Sequence, residues 1–374
     1  MSRIHGLDLA RALAIIGMMA AHMGPEHFLT DGFPSVLFAV LAGVSLGIIS
    51  SRASSLPDAR FRLLTRAVIL VAIGVLLAAL QSYILIVLIA IGVSYILLLP
   101  VLGRDTRWLA VLLAALVVLG PLVGAAQTVV TLDWSSEFFA DLLYGSYPIA
   151  AWLAYTLLGL IIHRVALRWD VVLLLLAGSV FLFIQGVIML FAPPAEFVGE
   201  WLLAEPHSGG LLDVLASASF AAAVIGACLV ACRIGAIVWA TYPVRSLGAM
   251  SLTVYIVHVI VTSIANDTFV SAVEEEVPAE IGWDMTTPFV PPGMPVVVES
   301  DPLWPTLFLV QLIGFLLFAS LWRWKFRRGP AEWAVARTIA GTVSELAPTI
   351  PPREDNASSL RNLPADAHKP GFPE

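Results

Sequence analysis

Residues 7–23 read LDLARALAIIGMMAAHM. The run approaches membrane-spanning length, yet it carries Asp8, Arg11 and His22. On a helix of 3.6 residues per turn these three fall within about 60° of one another. Asp8 and Arg11 are three apart and can pair. His22 lies about 21 Å further along the axis at 1.5 Å per residue. One stripe therefore puts an ion pair in one leaflet and a titratable imidazole near the opposite surface. Ionisable groups in a membrane are expensive and normally face a bundle interior or a wet cavity, where they mark function. The plainer alternative is a snorkelling Asp/Arg pair with an interfacial histidine.

The rest of the chain has the same character. Mean hydropathy is +0.91. Charged residues make up 13% of the 374 positions, against roughly 25% in soluble domains. The fold class expected is all-α: a polytopic integral membrane protein of about ten transmembrane helices in a multi-pass arrangement in the cell membrane. Hydropathy places spans near 7–23, 34–51, 63–81, 83–102, 107–130, 147–165, 170–192, 211–232, 245–265 and 304–324. Residues 1–341 form the membrane domain, with a long acidic connection at 266–303, and the Pro-rich stretch 342–374 reads as a disordered cytoplasmic tail.

Charge alternates along the connections. Arg52, Arg60, Arg62, Arg66, Arg104, Arg107, Arg164, Arg168, Arg233, Arg245, Arg323, Lys325, Arg327 and Arg328 fall on one set. The intervening segments 24–33, 81–83, 131–146, 193–210 and 266–303 hold no Lys or Arg. The positive-inside rule then puts both termini in the cytoplasm with an even number of spans. The outer connections are acidic, which disfavours nucleic acid as a partner. Cys228 and Cys232, four apart in an apolar run, read as thiols rather than a disulfide. No metal-ligand spacing, nucleotide-binding glycine motif or internal repeat is present.

On this topology His22, His27, His207 and His258, four of the seven histidines, collect in the outer half or the outer loops. Ser251, Tyr255 and His258 are spaced i, i+4, i+7 and share one helix face. That second polar stripe can meet the first. Neutral imidazole suits general-base work near physiological pH, although any single histidine can equally be a satisfied core or interfacial group. Glu26 and Asp31 join His207 as candidate acceptor-binding residues on the outer side. On the inner side Arg60, Arg62, Arg66, Arg164 and Arg168 form a basic rim. It suits either topogenic charge and anionic lipid or a cytosolic polyanion such as the phosphates of coenzyme A.

Three motifs carry a family resemblance. RIHGLDLARALAIIGMMAAHMG (3–24), with Asp8, Arg11, a short His-bearing loop and then LFAVLAGVSLGI (37–48), resembles the opening of the heparan-alpha-glucosaminide N-acetyltransferase-like proteins and their bacterial relatives. GAMSLTVYIVH (248–258) is similar to their late S-x-x-V-Y-x-x-H helix. RRGPAEW (327–333) is similar to the G-P-L-E-W ending of the related YeiB-type bacterial membrane proteins. The resemblance covers the two ends of the chain and reaches the middle only through hydropathy. It implies a transmembrane acyltransferase with acetyl-CoA or another acyl-CoA as cytosolic co-substrate and a glycan or glycolipid acceptor on the far side. The family's outer-loop catalytic histidine corresponds best to His27, and its late-helix histidine to His258. His22 stands where the family has Asn, so His22 is an alternative carrier of the chemistry. Asp8, Arg11 and Tyr255 complete the candidate catalytic set. Direct transfer and an acyl-imidazole intermediate both fit. The competing classes are a transporter or flippase, with Asp8–Arg11 as a gating pair, and a non-catalytic subunit of an envelope-assembly complex.

Overall fold

The computed structural model describes residues 4–24, 27–80, 84–129, 145, 147–167, 169–191, 200–276 and 303–346. Among them every regular element is helical. The helices are α1 (His5–Met23), α2 (Phe33–Arg52), α3 (Leu56–Ala78), α4 (Val87–Leu98), α5 (Thr106–Val129) and α6 (Ile149–Ile161). They continue with α7 (Asp170–Phe191), α8 (Leu211–Ala231), α9 (Gly235–Ala240), α10 (Tyr242–Gly248), α11 (Ser251–Glu276), α12 (Leu303–Lys325) and α13 (Pro330–Leu346). Six described helices are long and apolar enough to cross a membrane, and α10 with α11 make a seventh if their bend counts as one span. Shorter apolar helices lie at 87–98, 106–122 and 149–165. The chain is a multi-pass, membrane-embedded helical protein.

Helix α1 sits at the centre, against α2, α8, α10, α11 and α12. Its core positions are small or flexible: Ala10, Ala12, Ala14, Ile15, Met18 and Met19 are all buried. Small residues let helices approach where burying apolar area earns little, because lipid is as apolar as the core. The crossing of α2 and α6 depends on this: a Cβ on Gly43 would fall 1.9 Å from the Thr156 carbonyl oxygen, and one on Gly159 1.9 Å from that of Val40. At the periphery α7 and α12 turn Leu182, Phe183, Met189, Leu317 and Leu321 outward, as lipid-facing helices do.

Three details differ from the sequence reading. The span at 245–265 is not one helix: α10 and α11 meet at an 80° bend. Gly248 lets α10 lie close on α1 beside the bend, since a Cβ there would lie 1.9 Å from the Asp8 carbonyl oxygen. Hydropathy runs smoothly through this break and gives no sign of it. Residues 266–276, expected in the outer connection, continue α11. Finally, the segment after the last span forms α13, with Pro330 at its first position and Ala331, Val335 and Ile339 packed inward on one face. Residues 342–346, expected in the disordered tail, belong to this helix, which its inward face extends; the rest of that tail and the connection 277–302 lie outside the described residues.

Candidate functional site

The stripes of α1 and α11 meet at the His22 end of α1. Nδ1 of His22 lies 3.1 Å from Nε2 of His258, with the two rings 8° from parallel. His258 is buried, and its Nδ1 is 3.1 Å from Oε1 of Gln311 on α12. Thr262, one turn up α11, completes the group: its Oγ1 is 3.2 Å from His258 Nδ1 and accepts from Gln311 Nε2 at 3.3 Å. Met23 closes it, with Sδ 3.5 Å from Thr262 Oγ1 and 3.6 Å from Gln311 Nε2. Buried polar groups that bond one another hold a single geometry. Here they present a pair of imidazoles, His258 buried and His22 partly exposed.

A short turn beside this pair carries His207, close enough to His22 to interact electrostatically. His207 adopts φ 64°, in the left-handed region that a Cβ-bearing residue seldom occupies. Burial pushes its imidazole below the ordinary value, with Asp31 opposing. His207, Trp152, Tyr155, Asp213 and Ser217 line a small, partly open pocket. The Asp213 carboxylate is fixed by Gly209 N–H at 3.1 Å and Ser217 Oγ at 3.0 Å. His27 is not drawn in. It sits in an exposed turn, where its Nδ1 accepts the Leu29 N–H at 3.2 Å and its ring lies against Phe28. Asp31 is exposed near the same turn, and Glu26 lies outside the described residues.

The Asp8 end of α1 is cationic. Asp8, buried, faces Arg11 at 3.3 Å and Arg323 at 3.8 Å. Arg11 also donates to Ser45 Oγ at 2.9 Å. Next to it lies a partly open cleft, lined by Arg11, Arg66, Ser45, Tyr95, Phe38 and Ser251 among others. Arg66 bonds Tyr95 there, and its Nε is buried without a hydrogen-bond partner among the described residues. Tyr255, on the same face of α11 as Ser251 and His258, stacks on Phe38 with ring centres 6.2 Å apart. Its buried hydroxyl lies near the Val87 N–H without a well-formed bond. One face of α11 thus runs from the cleft, past Tyr255, to the histidine pair.

The rest of the arginine rim is engaged elsewhere. Arg60 donates to the carbonyls of Leu99 and Pro100 at 2.9 and 3.0 Å, beyond the C-terminus of α4. Arg164 donates to those of Leu102 and Arg104 at 2.6 and 2.7 Å. Arg62 pairs with Asp58 at 2.6 Å. Of the five rim residues, Arg66 lines the cleft; Arg168 lies outside the described residues.

No family model and no curated protein matches the chain. Among the described residues no group of His, Cys, Asp or Glu could hold a metal ion.

Sequence reading misses Gln311, Thr262, Asp213 and Glu332. Gln311 had one available signal: it is a primary amide inside the apolar run FLVQLIGF, where an unbonded amide is costly. Glu332 lies in the GPAEW motif. It accepts the N–H groups of Leu252 and Thr253 at 2.7 and 3.3 Å, and the Thr253 hydroxyl at 2.6 Å. It thereby caps α11 just after the bend.

Proposed function

We propose that the protein is a transmembrane acyltransferase of the plasma membrane, related to the family its motifs resemble, with both termini cytoplasmic. It moves an acyl group from cytosolic acyl-CoA to a sugar or glycolipid acceptor on the outer face. The observation that carries this reading is the pairing of two unlike polar sites on one helix. Arg11, in a cationic cleft, and His22, in a histidine pair, are eleven residues apart, about 16 Å along the axis. A phosphate-bearing donor suits the first site and a proton transfer suits the second. The pantetheine arm of a CoA thioester is of comparable reach.

In this mechanism Arg66 and Arg11 hold donor phosphate. The thioester lies along α11 beside Tyr255. One imidazole of the pair removes the acceptor's proton as its oxygen or nitrogen attacks the thioester carbon. The new C–O or C–N bond forms, the C–S bond breaks, and the imidazolium returns its proton to the departing CoA thiolate. Acyl thioester and acceptor become acyl acceptor and CoA thiol, with no other reactant.

The bend at Gly248–Ser251 favours a second reading, since broken helices line the binding sites of many transporters. Two assays separate the two. Purified protein in lipid nanodiscs, given radiolabelled acetyl-CoA and extracted envelope glycans and lipids, makes a labelled product if it is a transferase. Sealed proteoliposomes carrying the same fraction show acceptor flux without CoA if it is a transporter. Sidedness has its own test. With Cys228 and Cys232 replaced, Ala140→Cys, Val198→Cys and Met285→Cys react with an impermeant thiol reagent outside intact cells, and Ala53→Cys and Arg327→Cys do not. The reverse pattern would overturn the orientation.

A further inference from the structure

Gln311 sits on a helix that mostly faces outward, yet it is buried at 7% exposure. Its amide is bonded on both sides, and the identities of those partners fix its orientation. Met23 Sδ can only accept, so the atom 3.6 Å from it is the nitrogen. The oxygen then faces His258 Nδ1 at 3.1 Å. An amide oxygen also can only accept, so His258 Nδ1 carries the hydrogen. Thr262 agrees: it accepts from Gln311 Nε2 and donates towards Met23 Sδ, which leaves its remaining lone pair towards His258 Nδ1.

A neutral imidazole has one N–H. With Nδ1 protonated, His258 Nε2 is a bare acceptor, and it lies 3.1 Å from His22 Nδ1. That nitrogen must donate, and the lone pair of His22 falls on Nε2. We propose that Gln311 is a positioning residue: by accepting the His258 Nδ1–H it sets the tautomers of both histidines and makes His22 Nε2 the atom that takes the acceptor's proton. His22 is the catalytic base in this arrangement, and His258 orients it through Nε2. When His22 takes the proton, its Nδ1–H···Nε2 bond to His258 becomes charge-assisted and stronger. The relay ends at Gln311, because a neutral amide accepts a hydrogen bond but no proton. The role of His22 as base rests on the acyl-transfer reading; the tautomers do not.

The test is ¹⁵N NMR of histidine-labelled protein in nanodiscs, with the two rings assigned by loss of signal in His22→Gln and His258→Gln. The spectrum of the unaltered protein is expected to give the Nδ1–H tautomer for both rings. Either ring in the Nε2–H form overturns the proposal, so a Gln311→Leu protein that fails to fold does not leave it untested. In folded Gln311→Leu the tautomers shift towards Nε2–H and acetyl transfer falls at least tenfold, part of the ~10²–10⁴ that general-base catalysis contributes. Gln311→Glu keeps an acceptor at the same place and restores both. Unchanged tautomers in Gln311→Leu, with only a loss of thermal stability, mark Gln311 as structural and refute the positioning role. Nδ1–H tautomers in a protein that transfers no acyl group from acetyl-CoA leave the positioning intact and refute the acyltransferase reading.

Discussion

The two ends of α1 hold polar groups with different chemistry: neutral imidazole and amide at one, guanidinium and carboxylate at the other. At the His22 end, side chains bond side chains: His22, His258, Gln311 and Thr262 satisfy one another. At the Asp8 end, guanidiniums divide between side chains and backbone: Arg11 bonds Asp8 and Ser45, and Arg245 bonds His5 and Thr241. Arg323 takes the carbonyl of Arg245 at 2.9 Å, and Arg245 takes that of Val238. The rim residues Arg60 and Arg164 do likewise. An arginine on a helix-terminal carbonyl is a structural cap, whereas a neutral imidazole retains a lone pair that can take a proton. Charge content therefore overstates the functional surface at the cationic end. Formal charge, in turn, misses the uncharged Gln311 at the other.

The largest effect expected at the cationic end is structural. Asp8→Ala removes the carboxylate that Arg11 and Arg323 both face, and breaking a buried ion pair costs about 3–5 kcal/mol. Lower yield and a lower unfolding temperature in detergent should follow. Near-unaltered stability would mean that this end is held together by its backbone contacts alone. Donor binding comes next and splits the arginines. Arg66→Ala should weaken binding of CoA to the purified protein by about 10- to 100-fold, from the ~1.5–3 kcal/mol of a charge-assisted contact. Arg60→Ala should leave that affinity unchanged and cost stability instead. Equal losses of affinity in calorimetry would restore the whole rim as the donor site.

A smaller effect belongs to Glu332. Replacing it with Ala should cost about 0.5–2 kcal/mol, the range for a lost N-terminal cap, and speed amide exchange at Leu252 and Thr253 while the histidine end stays protected. The smallest concerns His207. Its lowered value means that the docked turn binds fewer protons than the undocked one. The docked form is therefore fully favoured above the ordinary imidazole value and loses stability as pH falls from there towards the lowered value. Hydrogen exchange in 203–210 should rise over that interval on acidification, and a turn equally protected throughout would contradict it.

Much of this was legible in the chain. The 3.6-residue period put Asp8, Arg11 and His22 on one stripe of α1, and Ser251, Tyr255 and His258 on one face of α11. Helicity, membrane residence and the positions of most apolar helices follow from hydropathy. What escaped depends on partners remote in sequence. Arg60 and Arg164 are 39 and 60 residues from the carbonyls they hold, and no local pattern announces such a bond. The bend at Gly248–Ser251 sits beside a close contact with α1, which hydropathy does not register. His27, favoured by its match to the family motif, lies in an exposed turn. His22, one position from the end of α1, is the residue that reaches His258.

The contrast between those two histidines gives the most direct test. Purified protein in nanodiscs should transfer label from radiolabelled acetyl-CoA to extracted envelope glycans and lipids. His22→Ala and His258→Ala, each verified as folded by its thermal transition, should lose at least a hundredfold in rate, within the ~10²–10⁴ of general-base catalysis. His27→Ala should stay within a few-fold of the unaltered protein. Wild-type rates in both His22→Ala and His258→Ala, or loss confined to His27→Ala, would contradict the assignment of the chemistry to the His22–His258 pair.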